Sequence, residues 1–272
     1  MRKRAFTLIE LLVVIAIIAL LLSIILPALR KAKDMAKAVI CKSNIKQWGL
    51  GFGAYLNENN DRFFLDYYDN PGGLLTEQQR APRRWHNALW PYVQTTDIFL
   101  CPTNKIGLTG PDKTFQVWPL SDSWVIGATE DLYGGYGFNV WANDRVYSSG
   151  HTDYGKNWRT STSLGVSSSS VPLLGDSWWN RNDPEATDYP PAYRGENRGG
   201  SDTMSRFCLD RHNENMNMLF MDLSVRKVGL KELWTLKWHR KYITGGPWTL
   251  ADPGSRTLWE THAPWMEGMK QY

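Results

Sequence analysis

A single carboxylate, Glu10, lies inside an apolar run that extends from residue 6 to residue 26. As a helix at about 1.5 Å per residue, this run is roughly 31 Å long, which matches the hydrocarbon thickness of a bilayer. A charged side chain near the centre of a membrane helix costs about 2.5–3.5 kcal/mol. Two interpretations stay open, namely a carboxylate with an ionic role and a plain signal anchor that tolerates one acid.

Three cysteines, Cys41, Cys101 and Cys208, follow the apolar run. No Cys-x-x-Cys motif and no cysteine–histidine spacing predicts a zinc site, so we expect neither a metal nor a cofactor. In an oxidising compartment three cysteines permit one disulfide and leave one thiol. We expect a disulfide between Cys41 and Cys101.

His212 and Asp222 flank a predicted strand, and we expect the two side chains to meet across a hairpin. A structural hydrogen bond is the favoured interpretation, and a cation site or catalysis are the alternatives. The sequence contains no His-Glu-x-x-His motif, no glycine-rich phosphate loop before a helix and no Gly-x-Ser-x-Gly motif. We therefore expect that the chain is not an enzyme.

The formal net charge of +4 comes mostly from Arg2, Lys3 and Arg4, so the rest of the chain is nearly neutral. This balance does not predict a nucleic-acid partner. A second group of six basic residues lies between Arg30 and Lys46, opposed only by Asp34. It either contacts anionic lipid headgroups or forms a helix face that meets solvent or acidic neighbours.

The elements that hold these residues begin with a stalk. Apolar residues recur at three- and four-residue steps over residues 27–57, which predicts an amphipathic helix that continues the membrane span. Pro27 should kink this helix or break it locally. Gly49, Gly51 and Gly53 either permit close packing on a sheet or mark fraying of the helix end.

Residues 58–272 predict a head domain with long irregular loops, at 161–170 and 183–205 among others. We expect a short helix at 85–93, strands at 171–175, 216–221 and 224–228, and a hairpin between the last two. A final amphipathic helix is expected at 230–242, with a tryptophan-rich tail docked on the domain. The fold class is α+β, with a long amino-terminal helix packed on an antiparallel sheet.

Two further groups of residues have a structural and a functional interpretation. The turn at 57–61 is rich in Asn and Asp, and it either ends the helix in solvent or binds calcium through its oxygens. Trp178 and Trp179 either pack in the core or form an exposed platform for a glycan or another exported partner.

The start of the chain, Ala5 followed by Phe6-Thr-Leu-Ile-Glu10, resembles the processing signal of type IV pilins and type II secretion pseudopilins. Pro27 also falls where that family commonly has a proline. The resemblance implies that a prepilin peptidase cuts before Phe6 and methylates the new amino group. It also implies that Glu10 receives the Phe6 amine of a neighbouring subunit, an ion pair that would offset part of the burial cost. Ala5 departs from the glycine that usually precedes the cut.

Four later segments resemble a bacterial branch of this superfamily that is known for a His-x9-Asp-Gly signature. The segments are Cys41 to Leu50, Phe99 to Pro102, Gly134 to Asn139 and His212 to Asp222. The signature glycine is replaced by Leu223, which argues against a tight turn with positive φ at that residue. The branch implies no chemistry for the His212/Asp222 pair.

The resemblance therefore implies a leader at 1–5, a transmembrane helix at 6–26, a stalk at 27–57 and an extracytoplasmic head at 58–272. The expected function is a pseudopilin-like subunit of a type II secretion or type IV pilus-like filament in the bacterial inner membrane. Its expected partners are the peptidase, other pseudopilin subunits, membrane lipid and an exported cargo or glycan. The alternative is a membrane-anchored binding or adhesion protein that uses the signal only for export.

Overall fold

The computed structural model describes residues 8–65, 74–120, 131–144, 156–161, 167–200 and 202–272. Four α-helices lie in these ranges: α1 (Leu8–Glu58), α2 (Glu77–Arg80), α3 (Trp85–Val93) and α4 (Ser255–His262). The strands are β1 (Trp118–Pro119), β2 (Tyr133–Gly134), β3 (Tyr136–Asn139), β4 (Pro172–Asp176), β5 (Arg181–Asn182), β6 (Asn215–Phe220) and β7 (Val225–Gly229).

Five strands form one sheet in the order β5-β3-β4-β6-β7. The β3–β4, β4–β6 and β6–β7 pairs are antiparallel, and only β5 runs parallel to β3. Strands β1 and β2 pair separately as a two-stranded antiparallel sheet. The α+β fold class is confirmed, and so are the predicted hairpin of β6 with β7 and the strand that became β4.

Helix α1 is unbroken through Pro27, so of the two predicted effects the local break is wrong and the kink stays a prediction. A proline removes only one backbone hydrogen bond, and the adjoining turns keep theirs. Helix α1 has two environments along its length. Every residue from 8 to 36 is exposed, whereas from Cys41 onward one face is buried against the sheet and α3.

The glycines of α1 lie where the helix approaches its neighbours most closely. A methyl group on Gly49 would lie 2.8 Å from Leu219 Cδ1 of β6, and one on Gly51 would lie 2.8 Å from Val93 Cγ2 of α3. Contacts this short leave no room for a side chain. The glycines therefore permit close packing, which is the first of their two predicted roles.

The core beneath α1 is mainly aromatic. The Trp48 ring lies 4.9 Å from that of Trp85 and 5.0 Å from that of Phe99, and Phe52 stacks on Phe138 at 5.8 Å. The Trp48 indole N–H donates to the Ile98 carbonyl at 3.0 Å, so the polar atom of this buried ring is satisfied. These contacts join the helix, α3 and the sheet into one core.

Two predictions about the end of the chain have different outcomes. Residues 230–242 do not form an amphipathic helix, because only one 3₁₀ turn, Lys231–Thr235, lies there. Trp234 and Trp238 are both buried, and their indoles donate to two different carbonyls, those of Asp188 and Leu233. The tail does dock as predicted, since Trp248 and Trp259 are buried and the Trp265 indole donates to the Pro191 carbonyl at 2.7 Å.

Candidate functional site

The predicted processing and assembly residues lie at the amino-terminal end. Glu10 is in the first turn of α1, and Pro27 is inside the same helix. Ala5 and Phe6 lie outside the described residues. The helix is long and apolar enough to cross a membrane, and none of its most apolar segment is buried in the head. The structure therefore presents this segment as an exposed apolar rod.

A second site lies where the stalk meets the head, and we call it the four-residue cluster: Cys41, Cys101, Asp176 and His212. Four separate parts of the chain supply its members, one from a helix, one from a strand and two from loops. Cys41 is on α1, Cys101 follows the Ile98–Phe99 core segment, Asp176 is the last residue of β4, and His212 precedes β6. The antiparallel register of β4 with β6 places the carboxyl end of β4 beside the start of β6, which brings Asp176 near His212.

All four members of the cluster are buried, and their candidate ligand atoms lie within 4.8 Å of one another. Asp176 Oδ2 lies 3.4 Å from His212 Nε2 and 3.6 Å from Cys41 Sγ. Cys101 Sγ lies 3.4 Å from the same His212 nitrogen. Two sulfurs, one nitrogen and one carboxylate oxygen thus face one another in the interior.

Arg211 supports the cluster from behind with a fully buried guanidinium. This group lies 3.6 Å from Asp176 Oδ1. It also donates hydrogen bonds to the carbonyls of Thr114, Gly135, Gln116 and Ser177, at 2.6 to 3.2 Å. A buried charge with this many partners is rigidly held, and its positive charge faces the cluster carboxylate.

Further donors surround the cluster. The Tyr136 hydroxyl donates to Cys41 Sγ at 3.5 Å, and the Asn217 backbone N–H donates to Asp176 Oδ2 at 3.1 Å. The Thr103 hydroxyl lies 2.9 Å from Cys101 Sγ. His212 Nδ1 has no hydrogen-bond partner among the described residues, so contacts at Nε2 and packing fix the ring.

The environment shifts the pKa values of the cluster in opposite directions. Burial raises the pKa of Cys41, and the nearby Cys101 and Asp176 raise it further. Burial opposes the shift at Cys101, but hydrogen bonds with Cys41 and His212 and the charge of Arg211 lower its pKa to about 6. Of the two thiols, Cys101 is therefore the one that ionises more readily.

The Asp176–His212 pair behaves as a buried ion pair. Burial disfavours the charged forms of both residues. The hydrogen bond and charge of His212, together with Arg211, nevertheless lower the pKa of Asp176. Hydrogen bonds to Asp176 and Cys101 raise the pKa of His212 to about 10.

The predicted Cys41–Cys101 disulfide is not formed in the structure, where both cysteines are free thiols, as is Cys208. The sequence correctly predicted that Cys41 and Cys101 lie together. It missed that each sulfur has another partner, because Cys41 contacts the Asp176 carboxylate and Cys101 contacts His212. Cys208 is fully buried outside the cluster.

The predicted contact between His212 and Asp222 is also wrong, because the two residues lie at opposite ends of β6. Asp222 is exposed and accepts hydrogen bonds from the backbone and hydroxyl of Ser224 within the β6–β7 turn. Leu223 does adopt a positive φ of 61°, contrary to expectation. Its carbonyl accepts from Lys46 Nζ at 2.8 Å, so a contact with α1 holds the turn.

Asp176 and Arg211 are the functional candidates that the sequence reasoning missed. One signal for Asp176 was available, since a carboxylate directly follows the apolar strand predicted at 171–175. A charged residue at the end of a buried strand needs a partner, and this requirement would have singled it out.

The two remaining candidates have different outcomes. Helix α1 ends at Glu58, and the Asn59 side chain donates to the Tyr55 carbonyl, as expected of helix termination in the 57–61 turn. Trp179 is 42% exposed and its ring lies 5.7 Å from that of Trp178, which is only partly buried. Trp179 is therefore not part of the core, and the glycan platform stays a prediction.

Comparison with known proteins finds one match, at the amino terminus. The model of the prokaryotic N-terminal methylation motif matches residues 1–26. No curated protein and no solved structure matches the chain. The match covers residues 1–5, Glu10 and the exposed apolar segment of α1 together. The chain thus has the prepilin-type amino-terminal signal of the type IV pilin and pseudopilin superfamily.

Proposed function

We propose that this protein is a pseudopilin-like subunit that assembles into a type II secretion or type IV pilus-like filament. The observation that supports this function best is the contrast along α1. The methylation motif covers residues 1–26, and the helix from residue 8 to residue 36 is exposed while its later part is built into the head. A segment of this kind is suited to exchange membrane lipid for neighbouring subunits.

Assembly draws on two interactions. Helices in an apolar environment associate by van der Waals packing and polar contacts, and large aliphatic side chains such as Ile15, Ile17 and Ile18 offer that packing surface. Glu10 then sets the register by pairing with the Phe6 amine of the next subunit. Such a pair, formed in a dry bundle, offsets much of the cost of burying the carboxylate.

The chain meets its partners in a fixed order. A prepilin peptidase cuts between Ala5 and Phe6 and methylates the new amine while the helix is in the bacterial inner membrane. The protein crosses the membrane once, and its head lies outside the cytoplasm. We expect no catalytic activity from this subunit, and other pseudopilins and membrane lipid are its principal partners.

Replacement of Glu10 tests this function. We expect Glu10→Ala to be inserted and processed but not to polymerise, because the incoming amine loses its partner. Mass spectrometry of the native amino terminus, searching for N-methyl-Phe6, reports processing. Electron microscopy of material sheared from the cell surface, together with chemical crosslinking that does not use cysteine, reports assembly.

Ser23→Ala is the matched control. It removes a polar group from the same segment, but one whose hydroxyl donates only to the Leu20 carbonyl of its own helix. Filaments from Ser23→Ala but not from Glu10→Ala support the assembly function. Robust filaments from Glu10→Ala, or a mature chain that keeps residues 1–5, would refute it.

The second candidate is a membrane-anchored binding or adhesion protein, and the exposed Trp179 beside Trp178 favours it. The exposed Trp179 ring offers one aromatic face to a sugar ring, and the partly buried Trp178 ring lies beside it at an angle of 55°. Loss of glycan binding in the double variant Trp178→Ala/Trp179→Ala, together with absence of filaments from the processed wild type, would favour this candidate over the first.

A further inference from the structure

We propose that Cys41, Cys101, Asp176 and His212 bind one zinc ion that fastens the stalk helix to the head. The proposal rests on the type, geometry, charge and burial of these four side chains. It does not depend on the filament function, because it concerns how one subunit is held together.

The donor atoms fit zinc in kind and number. Zinc in proteins is bound by cysteine sulfur, histidine nitrogen and carboxylate oxygen, and structural sites have four protein ligands in a tetrahedron. The cluster supplies two sulfurs, one nitrogen and one oxygen, all buried. Calcium and magnesium prefer oxygen ligands only, so a pair of thiols argues against both.

The spacing of the donors also fits a tetrahedron around zinc. Zinc–ligand bonds are about 2.3 Å to sulfur and about 2.0–2.2 Å to nitrogen and oxygen, which gives edges of roughly 3.3–3.8 Å between ligands. The edge from Asp176 Oδ2 to His212 Nε2 is 3.4 Å, that from Asp176 Oδ2 to Cys41 Sγ is 3.6 Å, and that from Cys101 Sγ to His212 Nε2 is 3.4 Å. The other three edges are within 4.8 Å, so small side-chain movements would close the site.

The charges balance when zinc is bound. Two thiolates and one carboxylate bring three negative charges into the interior, and a divalent cation with the Arg211 guanidinium brings three positive ones. On binding, the His212 imidazolium and any thiol that is still protonated release their protons to solvent, so histidine binds as the neutral imidazole, both sulfurs bind as thiolates and no redox change occurs. The Tyr136 hydroxyl and the Asn217 N–H supply outer hydrogen bonds of the kind that orient metal ligands.

The position of the cluster gives the ion a mechanical role. A site with four protein ligands leaves no open position for a substrate, which is typical of structural rather than catalytic zinc. Its ligands come from α1, the segment after Phe99, β4 and the segment before β6. Zinc would therefore join the helix to three parts of the head at the point where α1 first becomes buried.

Metal analysis of the full-length chain, purified in detergent without chelators, tests this site. We expect one zinc ion per chain, lost in Cys41→Ser and retained in Cys208→Ser. Cys208 is the matched control because it is an equally buried thiol outside the cluster. Zinc that persists in Cys41→Ser, or a wild-type chain that does not take up added Zn²⁺, would overturn the proposal.

A second measurement uses the wild-type chain alone, in case Cys41→Ser does not fold. Replacement of the ion by Co²⁺ should give the strong visible bands of a tetrahedral site and a near-ultraviolet thiolate-to-cobalt band. Octahedral cobalt spectra without that band would overturn the site. An intact mass lower by two hydrogens, with a tryptic peptide that links Cys41 to Cys101, would overturn it in favour of the disulfide.

Discussion

The two halves of α1 have the same secondary structure but opposite surroundings. From residue 8 to residue 36 the helix is exposed all round, and most of its side chains over residues 11–26 are large aliphatic groups. From Cys41 to Leu56 it instead presents one face to the head, and that face is made mostly of small, aliphatic and aromatic residues. The first half is therefore built to contact other molecules, and the second is built to contact its own chain.

This difference shows which interactions stabilise each half. A single helix of membrane length satisfies its own backbone and needs only an apolar medium. The later half depends instead on specific shapes, because Gly49 and Gly51 admit Leu219 and Val93 while Trp48 fills the space between Trp85 and Phe99. Substitutions in the two halves should consequently fail in different ways.

The largest expected effect is from truncation of the buried half. Trp48→Ala should lower the free energy of unfolding of the head by about 3–5 kcal/mol, because it leaves a cavity and an unpaired Ile98 carbonyl. Denaturant unfolding in detergent, followed by tryptophan fluorescence, measures this change.

Ile17→Ala, in the exposed half, is the matched comparison, since the Ile17 side chain is 52% exposed. It should leave the unfolding of the head unchanged and weaken self-association instead. Equal loss of head stability in both variants would show that the exposed half of the helix also stabilises the head.

The second prediction concerns a buried carboxyl in the packed region, Asp188. Burial raises the pKa of Asp188 to about 8, and the charges of Asp202 and Glu185 act in the same direction. The Asp188 side chain accepts a hydrogen bond from the Met204 N–H at 2.9 Å. Nearby titratable groups also include Tyr242, and the Glu185 carboxylate is itself paired with His239 and Lys156.

Because the folded-state pKa of Asp188 is raised, its contribution to stability is fully present below about pH 4 and is lost as the pH rises toward 8. Asp188→Asn should therefore be more stable than the wild type by a margin that grows by roughly 1 kcal/mol per pH unit between pH 5 and pH 7. Chemical unfolding at several pH values gives the margin. Asp222→Asn, which alters an exposed turn, should leave the wild-type profile unchanged. A margin for Asp188→Asn that does not vary with pH would contradict the prediction.

The smallest effect concerns the close approach of α1 to the sheet. Gly49→Val places branched carbons where a methyl group would already lie 2.8 Å from Leu219 Cδ1, so it should cost about 1–3 kcal/mol of head stability. Leu50→Val, at a neighbouring residue that is 64% exposed, should stay within about 0.5 kcal/mol of the wild type. Thermal unfolding of the two variants compares them, and a Gly49→Val protein as stable as Leu50→Val would show that the sheet can move away from the helix.

Parts of the head were predictable where the local pattern and the tertiary contacts agree. Helix α3 covers the predicted residues 85–93, and β6 and β7 agree with the predicted hairpin within one residue at each end. Residues 230–242 were not predictable in the same way. Their apolar spacing resembles that of a helix, but several buried tryptophans pack in different directions there, and local periodicity does not contain that information.

The residues of the candidate sites also differ in how far the sequence predicts them. Glu10 and Pro27 were identifiable because their positions are set by their spacing along the sequence from Phe6. Arg211 was not, because its partners are remote in sequence. Asp176 was recognisable as a carboxylate that needs a partner, but only the β4–β6 register shows that this partner is His212. The expected His212–Asp222 contact failed for this reason, since spacing along one strand separates two residues instead of joining them.

The sequence by itself determined a helix long and apolar enough to cross a membrane, the prepilin-type amino-terminal signal and the α+β class, because each depends on composition and order along the chain. Only the tertiary structure decided that Cys41 and Cys101 share their surroundings with a carboxylate and an imidazole. Four residues from four separate parts of the chain meet through strand register and helix packing. Both arise from contacts across the whole head and not from any local pattern.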